Sequence, residues 1–502
     1  MNIILLPLDE RSVNTRYPRM IADIAGATVT LPPTELLSLK RQAAPSEALI
    51  TWLNTQAATC DCLIVSIEML GYGGLIASRT SQDTTLDIMQ RLAVLQQIKA
   101  SYPALQIYAF NVITRISNAN DAVEEPLYWE HYGTRLYRYS QLMHRLQQGH
   151  VVQAELDAIC AELPAEAIAD FTRRRLRNHL INLHLLEMLS DNIFDLLVLS
   201  SDDTSEYGFG SQEKAWLQTW VSRLHKQDRR LLMYPGADEI GCVLIMRALN
   251  QGNPAPTFYV DYAIVDDNTV IAPYEDSPIH LTIERQIRAI GGVQVEQEQA
   301  ADFVLAINTP SRIREEYNPL ALDFASEQTR RRPYLQSFAE RITQRLISNR
   351  RVIVADVAYP NGSDPELMSL LLEQVEIRQF AAYAAWNTAG NTIGTALAQG
   401  LAASLSASVT TEKAQQRFLL HRFIEDWCYQ HRVRQQVRDE LEQQTGIRDT
   451  TSANISATID LIHHQLNALL PSLGTLSQGW YIEQVRLPWQ RTFEVDFDVV
   501  QR

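Results

Sequence analysis

Short apolar segments recur along this chain, and most of them stop at a polar or charged residue. Residues 3–8 run into Asp9, and residues 196–200 are followed closely by Asp202 and Asp203. Continuous apolar, β-branched runs that alternate with helical patterns are typical of buried parallel strands. In such sheets, ligands bind beyond the carboxyl ends of the strands. The pattern therefore predicts an α/β protein whose polar site is assembled from several strand ends.

The strand candidates form two blocks, separated at residues 251–256 by two prolines and a glycine that end any helix. Strands are predicted near residues 3–8, 28–31, 62–67, 107–112, 196–200, 231–234, 258–265, 303–307, 352–357 and 380–384. These positions predict mostly parallel sheets with alternating helices, arranged as two doubly wound (Rossmann-like) domains facing a cleft. The alternative is a (β/α)8-like barrel with extra strands, because about ten parallel strands exceed one barrel.

Three parts are predicted along the chain. An N-terminal α/β domain covers residues 1–251, with a helical insertion at about 120–189, where Leu, Arg, Tyr and Glu recur at helical spacing. A second α/β domain covers residues 252–408. Residues 409–502 form a mainly helical C-terminal region that ends in two strands.

Composition restricts the class of protein. The net charge is 44 − 59 = −15, which disfavours non-specific binding to nucleic acid or to an anionic membrane. The five cysteines have no regular spacing, so reduced thiols in a cytoplasmic protein are expected. No apolar run approaches the roughly 18 residues of a membrane span. The expected partner is therefore a small molecule, with neither nucleic acid nor membrane involved.

The strongest candidate for catalysis is the segment SSDDTSEYG, which holds Asp202, Asp203 and Tyr207. Just past a strand end, both carboxylates can reach one pocket, and their mutual repulsion raises one pKa, so that an acid stands beside an anion. Glycosidases that cleave N-acetylhexosaminides with substrate assistance use such a pair. The alternative is structural, with one aspartate in a turn and the other capping the next helix.

A second acidic pair, Asp238 and Glu239, follows another predicted strand. Asp238 is placed to cap the next helix, and Glu239 would favour the positive end of that helix. Alternatively, Asp238 and Glu239 could contact the substrate, with one of them as a general base, or Asp238 could join Asp202, Asp203 and Asp356 as oxygen ligands of Mg²⁺ or Mn²⁺. The leading expectation is that the protein uses no metal and no other cofactor.

Further strand ends and loops supply candidate substrate-binding residues. The opening loop contributes Asp9, Arg11 and Asn14, whose polar groups are costly to bury and are expected to face solvent or a ligand. The other candidates follow later strands or, in the case of Arg79, a glycine-rich loop: Glu68, Arg79, Asn111, Arg115, Asn308, Asp356, Tyr359, Trp386, Asn387 and Asn391. Asn387 and Asn391 surround a predicted helix N-terminus, where free N–H groups favour an anionic or hydroxyl-rich ligand.

Several other patterns are assigned structural roles. The arginine runs at residues 173–175 and 330–332 are interpreted as solvated helix faces. Asp364 is expected to cap a helix that begins at Pro365. His421 falls in a charged helix, where a surface or packing role is expected.

At LPLDERSVNTRYP, SSDDTSEYG, YPGADEIG and WNTAGNTIGTALAQ, the chain resembles a bacterial family catalogued as domain of unknown function 4127. The opening motif of that family reads P-L-D-x-R-P-V-N. Here Ser12 replaces the second proline, while Asp9, Arg11 and Asn14 match. The resemblance implies a shared site and names no reaction.

The residues together favour a carbohydrate-active hydrolase, a glycosidase on small oligosaccharides or amino-sugar glycosides, with Asp202 and Asp203 as the catalytic pair. Sites rich in asparagine suit sugars, whose hydroxyls need both donors and acceptors. Trp386 or Tyr207 would stack on a sugar ring. The alternatives are a divalent-metal hydrolase or isomerase, and a protein that binds a small polar ligand without turnover.

Overall fold

The computed structural model describes residues 1–225, 228–318 and 321–501. The chain forms two compact units. The first consists of Met1–Glu10, Val29–Gly241 and Tyr274–Asp276, and the second of Arg11–Thr28, Cys242–Pro273 and Ser277–Arg502. The chain therefore enters the second unit once near its start before it completes the first.

The strands, in chain order, are β1 (Ile3–Leu6), β2 (Val29–Thr30), β3 (Cys62–Ser66), β4 (Gln106–Ile113), β5 (Leu196–Ser201), β6 (Leu231–Pro235), β7 (Thr257–Tyr262), β8 (Val293–Gln294), β9 (Phe303–Asn308), β10 (Val352–Asp356), β11 (Ala382–Ala384), β12 (Trp480–Arg486) and β13 (Asp496–Gln501). All the predicted strands are present, and β8 is the one that the sequence pattern missed. With two residues, β8 is too short to show a periodicity.

The α-helices, in chain order, are α1 (Ser12–Ile24), α2 (Ser46–Ala57), α3 (Leu75–Thr80), α4 (Thr85–Ser101), α5 (Trp129–Gln147), α6 (Gln153–Ala161), α7 (Ala165–Ser190), α8 (Phe209–Leu224), α9 (Ile240–Leu249), α10 (Ile279–Ala289), α11 (Leu322–Ile347), α12 (Pro365–Gln374), α13 (Ala389–Leu405), α14 (Val409–Phe423), α15 (Arg434–Thr445) and α16 (Ile455–Leu469). A π-helical segment, Ile424–Val433, joins α14 to α15. Within the described ranges, no helix combines the length and apolar character needed to span a membrane.

The first unit is built on one parallel sheet with the strand order β2-β1-β3-β4-β5-β6. The order reverses direction between β1 and β3, as in doubly wound sheets. In the register, Ile113 of β4 pairs with Ser201 of β5, and Ser201 pairs with Pro235 of β6. The residues that follow these three strands therefore leave the sheet at one edge.

Three helices, α5, α6 and α7, lie between β4 and β5, in the part of the chain for which the sequence analysis predicts a helical insertion. These helices have a core of their own, in which the Trp129 ring packs edge-on against Phe171 at 5.3 Å, and Phe171 stacks on Phe209 at 5.5 Å. Phe209 begins α8, the helix that follows β5. The insertion thus packs against the segment that carries the predicted acidic pair.

The second unit repeats the same topology with five parallel strands in the order β11-β10-β9-β7-β8. Read from the other edge, β8-β7-β9-β10-β11 follows the pattern of the first sheet. The Asp364 carboxylate caps α12, which begins with Pro365, as predicted. Among the described residues, each sheet has two edge strands, so the doubly wound prediction is confirmed and the closed barrel is wrong.

The C-terminal region is helical through α14, α15 and α16 and ends in the antiparallel pair β12 and β13, as predicted. Its apolar side chains share one core with the second sheet. The rings of Tyr383 and Phe423 stack at 4.2 Å, and those of His421 and Phe497 also stack at 4.2 Å. His421 has a packing role, and burial lowers its pKa well below the usual range.

Candidate functional site

The predicted site residues divide between the two units. The first unit holds Asp9, Glu68, Arg79, Asn111, Arg115, Asp202, Asp203, Tyr207, Asp238 and Glu239, and the second holds Arg11, Asn14, Asn308, Asp356, Tyr359, Trp386, Asn387 and Asn391. Each set is described in its own unit.

The carboxyl ends of β4 and β5 open into a pocket of about 420 Å³ in the first unit. This volume lies within the range of roughly 300–1,000 Å³ that is usual for small-molecule sites. Arg115, Asp202 and Asp203 are its charged lining residues, and the other lining residues are neutral. The neutral polar side chains include Thr114, Ser117, Asn118, Tyr137, Thr204, Ser205 and Tyr274. The pocket therefore offers hydroxyl and amide groups around two carboxylates.

Each aspartate at this edge is held by an arginine. Arg79 Nη2 donates to Asp202 Oδ2 at 2.6 Å, and Arg115 Nη1 donates to Asp203 Oδ2 at 3.1 Å. The Asp203 backbone N–H also donates to Asp202 Oδ1 at 2.9 Å, which fixes the Asp202 carboxylate against the turn. Arg79 comes from α3 and Arg115 from the end of β4, so two different elements orient the pair.

The two arginines are joined by Glu124, which the sequence analysis did not single out. Its Oε2 accepts from Arg79 Nη1 and from Arg115 Nη2, each at 3.0 Å. Glu125 also lies near Arg79, with its Oε1 3.7 Å from Arg79 Nη1, the nitrogen that donates to Glu124. Burial raises the pKa of Glu125 to about 7, and the charges of Arg79 and Arg115 oppose that rise.

The environments of the two aspartates differ. Burial raises the pKa of Asp203 to about 6, the negative charge of Asp202 raises it further, and Arg115 acts in the opposite direction. Asp203 is also the more open of the two, with 28% of its side chain exposed against 16% for Asp202. Near neutral pH, part of the Asp203 population is therefore protonated beside the Arg79-paired Asp202.

Glu68 and Asn111 lie inside the unit. Glu68 Oε1 accepts from the Val112 backbone N–H at 2.5 Å, and Glu68 Oε2 accepts from Ser66 at 2.9 Å. Burial raises the pKa of Glu68 to about 7, hydrogen bonds from these neighbours lower it, and the charge of Asp202 raises it. Asn111 donates to Asn182 of α7 at 2.7 Å. Both side chains thus brace β4 behind the pocket.

Three other predicted residues of this unit are buried in turns. Asp9 follows β1, and Asp238 and Glu239 follow β6. The Glu239 carboxylate folds back against Gly236, whose φ is +136°. A Cβ at this position would overlap the carboxylate, so the absence of a side chain leaves room for it. Tyr207 is half-buried, and the guanidinium of Arg145 lies 4.9 Å from its ring centre.

In the second unit, Asn308 and Asp356 meet in a fully buried polar cluster. Asn308 Nδ2 donates to Asp356 Oδ1 at 2.7 Å, and Arg331 Nη2 donates to Asn308 Oδ1 at 2.7 Å. The Asp364 backbone N–H donates to Asp356 Oδ2 at 2.7 Å. Burial raises the pKa of Asp356 to about 7, and the nearby Asp364 charge adds to the rise. This cluster ties the ends of β9 and β10 to α11 and α12.

The aromatic candidates of this unit are enclosed. Trp386 is 4% exposed, and its ring centre lies 6.1 Å from that of Phe493. Tyr359 contacts the ring of Tyr317 at 5.3 Å, and burial raises the pKa of its hydroxyl above the usual value.

The other candidates of the second unit surround the starts of two helices. Asn387, with φ of +67°, makes the turn before α13, and Asn391 is buried in the first turn of that helix. Arg11 precedes α1, where its guanidinium lies 4.5 Å from the Trp489 ring centre and 3.8 Å from the Glu494 carboxylate. Asn14 is buried in the first turn of α1.

The arginine runs were wrongly interpreted as solvated faces. Arg331 is fully buried, and Arg175 forms a buried pair with Glu213 in which Nη2 and Oε2 are 2.6 Å apart. Consecutive helical residues point about 100° apart, so three in a row span too wide an arc for all of them to face solvent. The consecutive spacing of the arginines therefore indicates that at least one arginine of each run faces the packed side of its helix.

Nearly the whole chain matches a known family model. The model described as "Protein of unknown function (DUF4127)" aligns with residues 3–498. The chain belongs to this family. No curated protein and no solved structure matches it. For this member of the family, the site geometry is therefore the basis for assigning a function.

Metal binding by the predicted carboxylates receives no support from their surroundings in this family member. Within the described residues, no group of three or more His, Cys, Asp or Glu side chains is placed to hold a metal ion. In addition, Asp202 and Asp203 already accept hydrogen bonds from Arg79 and Arg115. A divalent cation would have to displace or lie beside these positive charges. The Mg²⁺ or Mn²⁺ alternative stays a prediction.

Proposed function

We propose that this protein is a glycoside hydrolase that acts on small oligosaccharides or amino-sugar glycosides, with Asp202 and Asp203 as its catalytic pair. The observation that carries the proposal is the asymmetry of the pair. Both aspartates line the pocket and each is paired with an arginine, but Asp203 has a raised pKa and the longer contact, 3.1 Å to Arg115, while Asp202 is held at 2.6 Å by Arg79. Two carboxyl groups with different environments are the usual requirement for breaking a glycosidic bond.

In the proposed mechanism, Asp203 is the general acid. Its protonated form donates a proton to the leaving glycosidic oxygen as the bond to the anomeric carbon breaks, and a water molecule then forms the new bond to that carbon and gives its proton back to the Asp203 carboxylate. Asp202 is the anion that stabilises the positive charge developing on the sugar, or that orients an acetamido group when the substrate carries one. The Ser, Thr, Asn and Tyr side chains of the pocket supply donors and acceptors for the sugar hydroxyls.

The test is release of reducing sugar from a panel of disaccharides and alkyl glycosides, including N-acetylhexosaminides, by the wild type and by Asp202→Asn and Asp203→Asn, because their alkoxide leaving groups need a proton from the general acid. We expect both variants to lose at least about 100-fold in kcat/KM, because removal of a general acid typically costs 10²–10⁴-fold. Glu206→Gln is the matched control, since Glu206 is an exposed acid of the same loop. In the wild type, kcat/KM should fall as the pH rises above about 6, where Asp203 loses its proton.

Three outcomes would contradict the proposal: no release from any glycoside of the panel, retained activity in both aspartate variants, or equal loss in the Glu206→Gln control. Activity that disappears with EDTA and returns with Mg²⁺ or Mn²⁺ would favour the metal alternative. Thermal stabilisation by a sugar without turnover would favour the binding alternative.

A further inference from the structure

The loop between β4 and α5 has no regular secondary structure, yet it carries Glu124 into the interior. The loop is fixed at several points. Arg41 Nη1 donates to the Glu125 carbonyl at 2.7 Å, and Trp129 Nε1 donates to the Ser117 carbonyl at 3.2 Å. The Thr134 backbone N–H donates to Asn120 Oδ1 at 3.0 Å. The position of Glu124 is therefore set by contacts on both sides of it along the chain.

The same oxygen of Glu124 contacts both arginines of the site. The side chains form one continuous series, Asp202–Arg79–Glu124–Arg115–Asp203, in which every neighbour is within 3.1 Å. Charge-assisted hydrogen bonds of this kind are shorter and stronger than neutral ones, and guanidinium groups hold their partners in a fixed plane. The placement of the two guanidinium groups against the aspartates therefore depends on the carboxylate at the centre.

The Asp203 and Arg115 side chains, at one end of the series, are more exposed than those of Glu124 and Arg79. The side chains of Asp203 and Arg115 are 28% and 29% exposed, whereas those of Glu124 and Arg79 are 11% and 4% exposed. Charges interact more strongly away from water, so the inner contacts of Glu124 are the less screened part of the network. Without Glu124, three carboxylates, those of Asp202, Asp203 and Glu125, would remain beside the two positive charges of Arg79 and Arg115.

We propose that Glu124 is the positioning residue of this site, which acts through Arg79 and Arg115 to fix the geometry and the charge of the Asp202–Asp203 pair. The inference rests on the proposed function in that it gives the two aspartates the reacting role. Glu124 itself does not line the pocket, so it does not touch the substrate there. Its removal releases both guanidinium groups towards the aspartates.

The electrostatic consequence has a definite sign. Glu124 is the largest contributor among the charges that raise the pKa of Arg115. When Glu124 is neutral, the positive charge of Arg115 is less compensated and stabilises ionised Asp203 more strongly. The pKa of Asp203 should therefore fall in Glu124→Gln, by about 0.5–1 unit, which is less than the 1–3 units of a direct contact because Glu124 acts through an intermediate residue.

The experiment is a titration of the Asp203 side-chain carboxyl by carbon-13 NMR in protein labelled at aspartate, with the signal assigned by its absence in Asp203→Asn. Asp121→Asn is the matched control, because Asp121 is an exposed acid of the same loop. Its Oδ1 accepts a hydrogen bond from the Val123 N–H at 2.7 Å, and asparagine keeps this acceptor oxygen. The control should move the Asp203 titration by less than about 0.2 units, since exposed charges are screened.

A pKa of Asp203 that is unchanged in Glu124→Gln, or that moves as far in Asp121→Asn, overturns the assignment. If Glu124→Gln does not fold, the titration is read in Glu124→Asp, whose shorter side chain cannot reach both arginines. A smaller shift in the same direction is then expected, and no shift again overturns the assignment. The titration needs no substrate, so a protein that cleaves no glycoside but shows the shift would lose the proposed function while Glu124 keeps its role in positioning the pair.

Discussion

Replacing Glu68 by glutamine tests whether this buried carboxyl titrates near neutral pH. Glutamine is nearly isosteric, and its Oε1 can accept from the Val112 N–H while its amide group donates to the Ser66 hydroxyl, which replaces the two hydrogen bonds of the glutamate. The substitution therefore removes one titration and leaves the packing almost unchanged.

The size of the effect follows from the pKa. In the folded protein it is raised from 4.5 to about 7, so Glu68 contributes stability that is fully present below pH 4.5 and lost as the pH rises through 7. At about 1.36 kcal/mol for each unit, the full loss is about 3.4 kcal/mol. Most of this loss has occurred by pH 6. Between pH 6 and pH 8.5, the free energy of unfolding therefore falls by a further amount of about 1.4 kcal/mol. The free energy of unfolding of Glu68→Gln lacks this dependence on pH, because glutamine does not titrate.

The assay is urea-induced unfolding of both proteins at pH 6 and pH 8.5, followed by tryptophan fluorescence, with equal m-values as the check that one transition is compared. The free energy of unfolding of Glu68→Gln, relative to the wild type, should rise by about 1.4 kcal/mol between the two pH values. Glu130→Gln, at an exposed site, should show no such rise. A difference that stays constant within about 0.3 kcal/mol would refute the reasoning, because Glu68 would then be ionised throughout this range.

Two further substitutions test the packing of the strand ends. Arg331→Met should lower the free energy of unfolding by about 3–5 kcal/mol, because Asp364 and Asn308 lose their buried guanidinium, whereas the neighbouring and exposed Arg332→Met should cost less than about 1 kcal/mol in the same urea titration. Equal costs would contradict the buried role of Arg331. Gly236→Ala should cost about 1–3 kcal/mol more than Gly149→Ala, because both glycines have positive φ but a Cβ overlaps Glu239 at Gly236 and meets nothing at Gly149. Equal costs of these two variants would show that the Glu239 contact is unimportant.

The sequence predicted the strand ends well because a buried parallel strand is apolar along its whole length. The first polar residue after the apolar run therefore indicates where the strand ends. The acidic pair was identified in the same way, since Asp202 and Asp203 come directly after β5. The partners of the pair were harder to find. Arg79 and Asp202 are 123 residues apart along the chain, and Arg115 and Asp203 are 88 apart. A single sequence predicts that each of these residues follows a strand or a glycine loop, and does not predict which of them meet.

Glu124 shows most clearly what tertiary structure adds. It lies in a loop with no periodic pattern, and nothing in its neighbourhood distinguishes it from a solvated acid. Its buried position follows from contacts that the loop makes with Arg41, Trp129 and Thr134, all of them outside the segment itself. Side chains far apart in sequence must be brought together before such a residue acquires a role.

The amino-acid sequence predicts the alternation of strands and helices and the strand ends at which polar residues collect, because these depend on local periodicity and on the apolar character of each strand. It leaves open whether the strands form two sheets or one barrel, which arginine pairs with which carboxylate, and which polar side chains of the strand ends line a pocket and which are buried in structural clusters. These features depend on the distances between residues of different elements and on the free energy of transferring a charge out of water. Neither quantity can be predicted from a local pattern of residues.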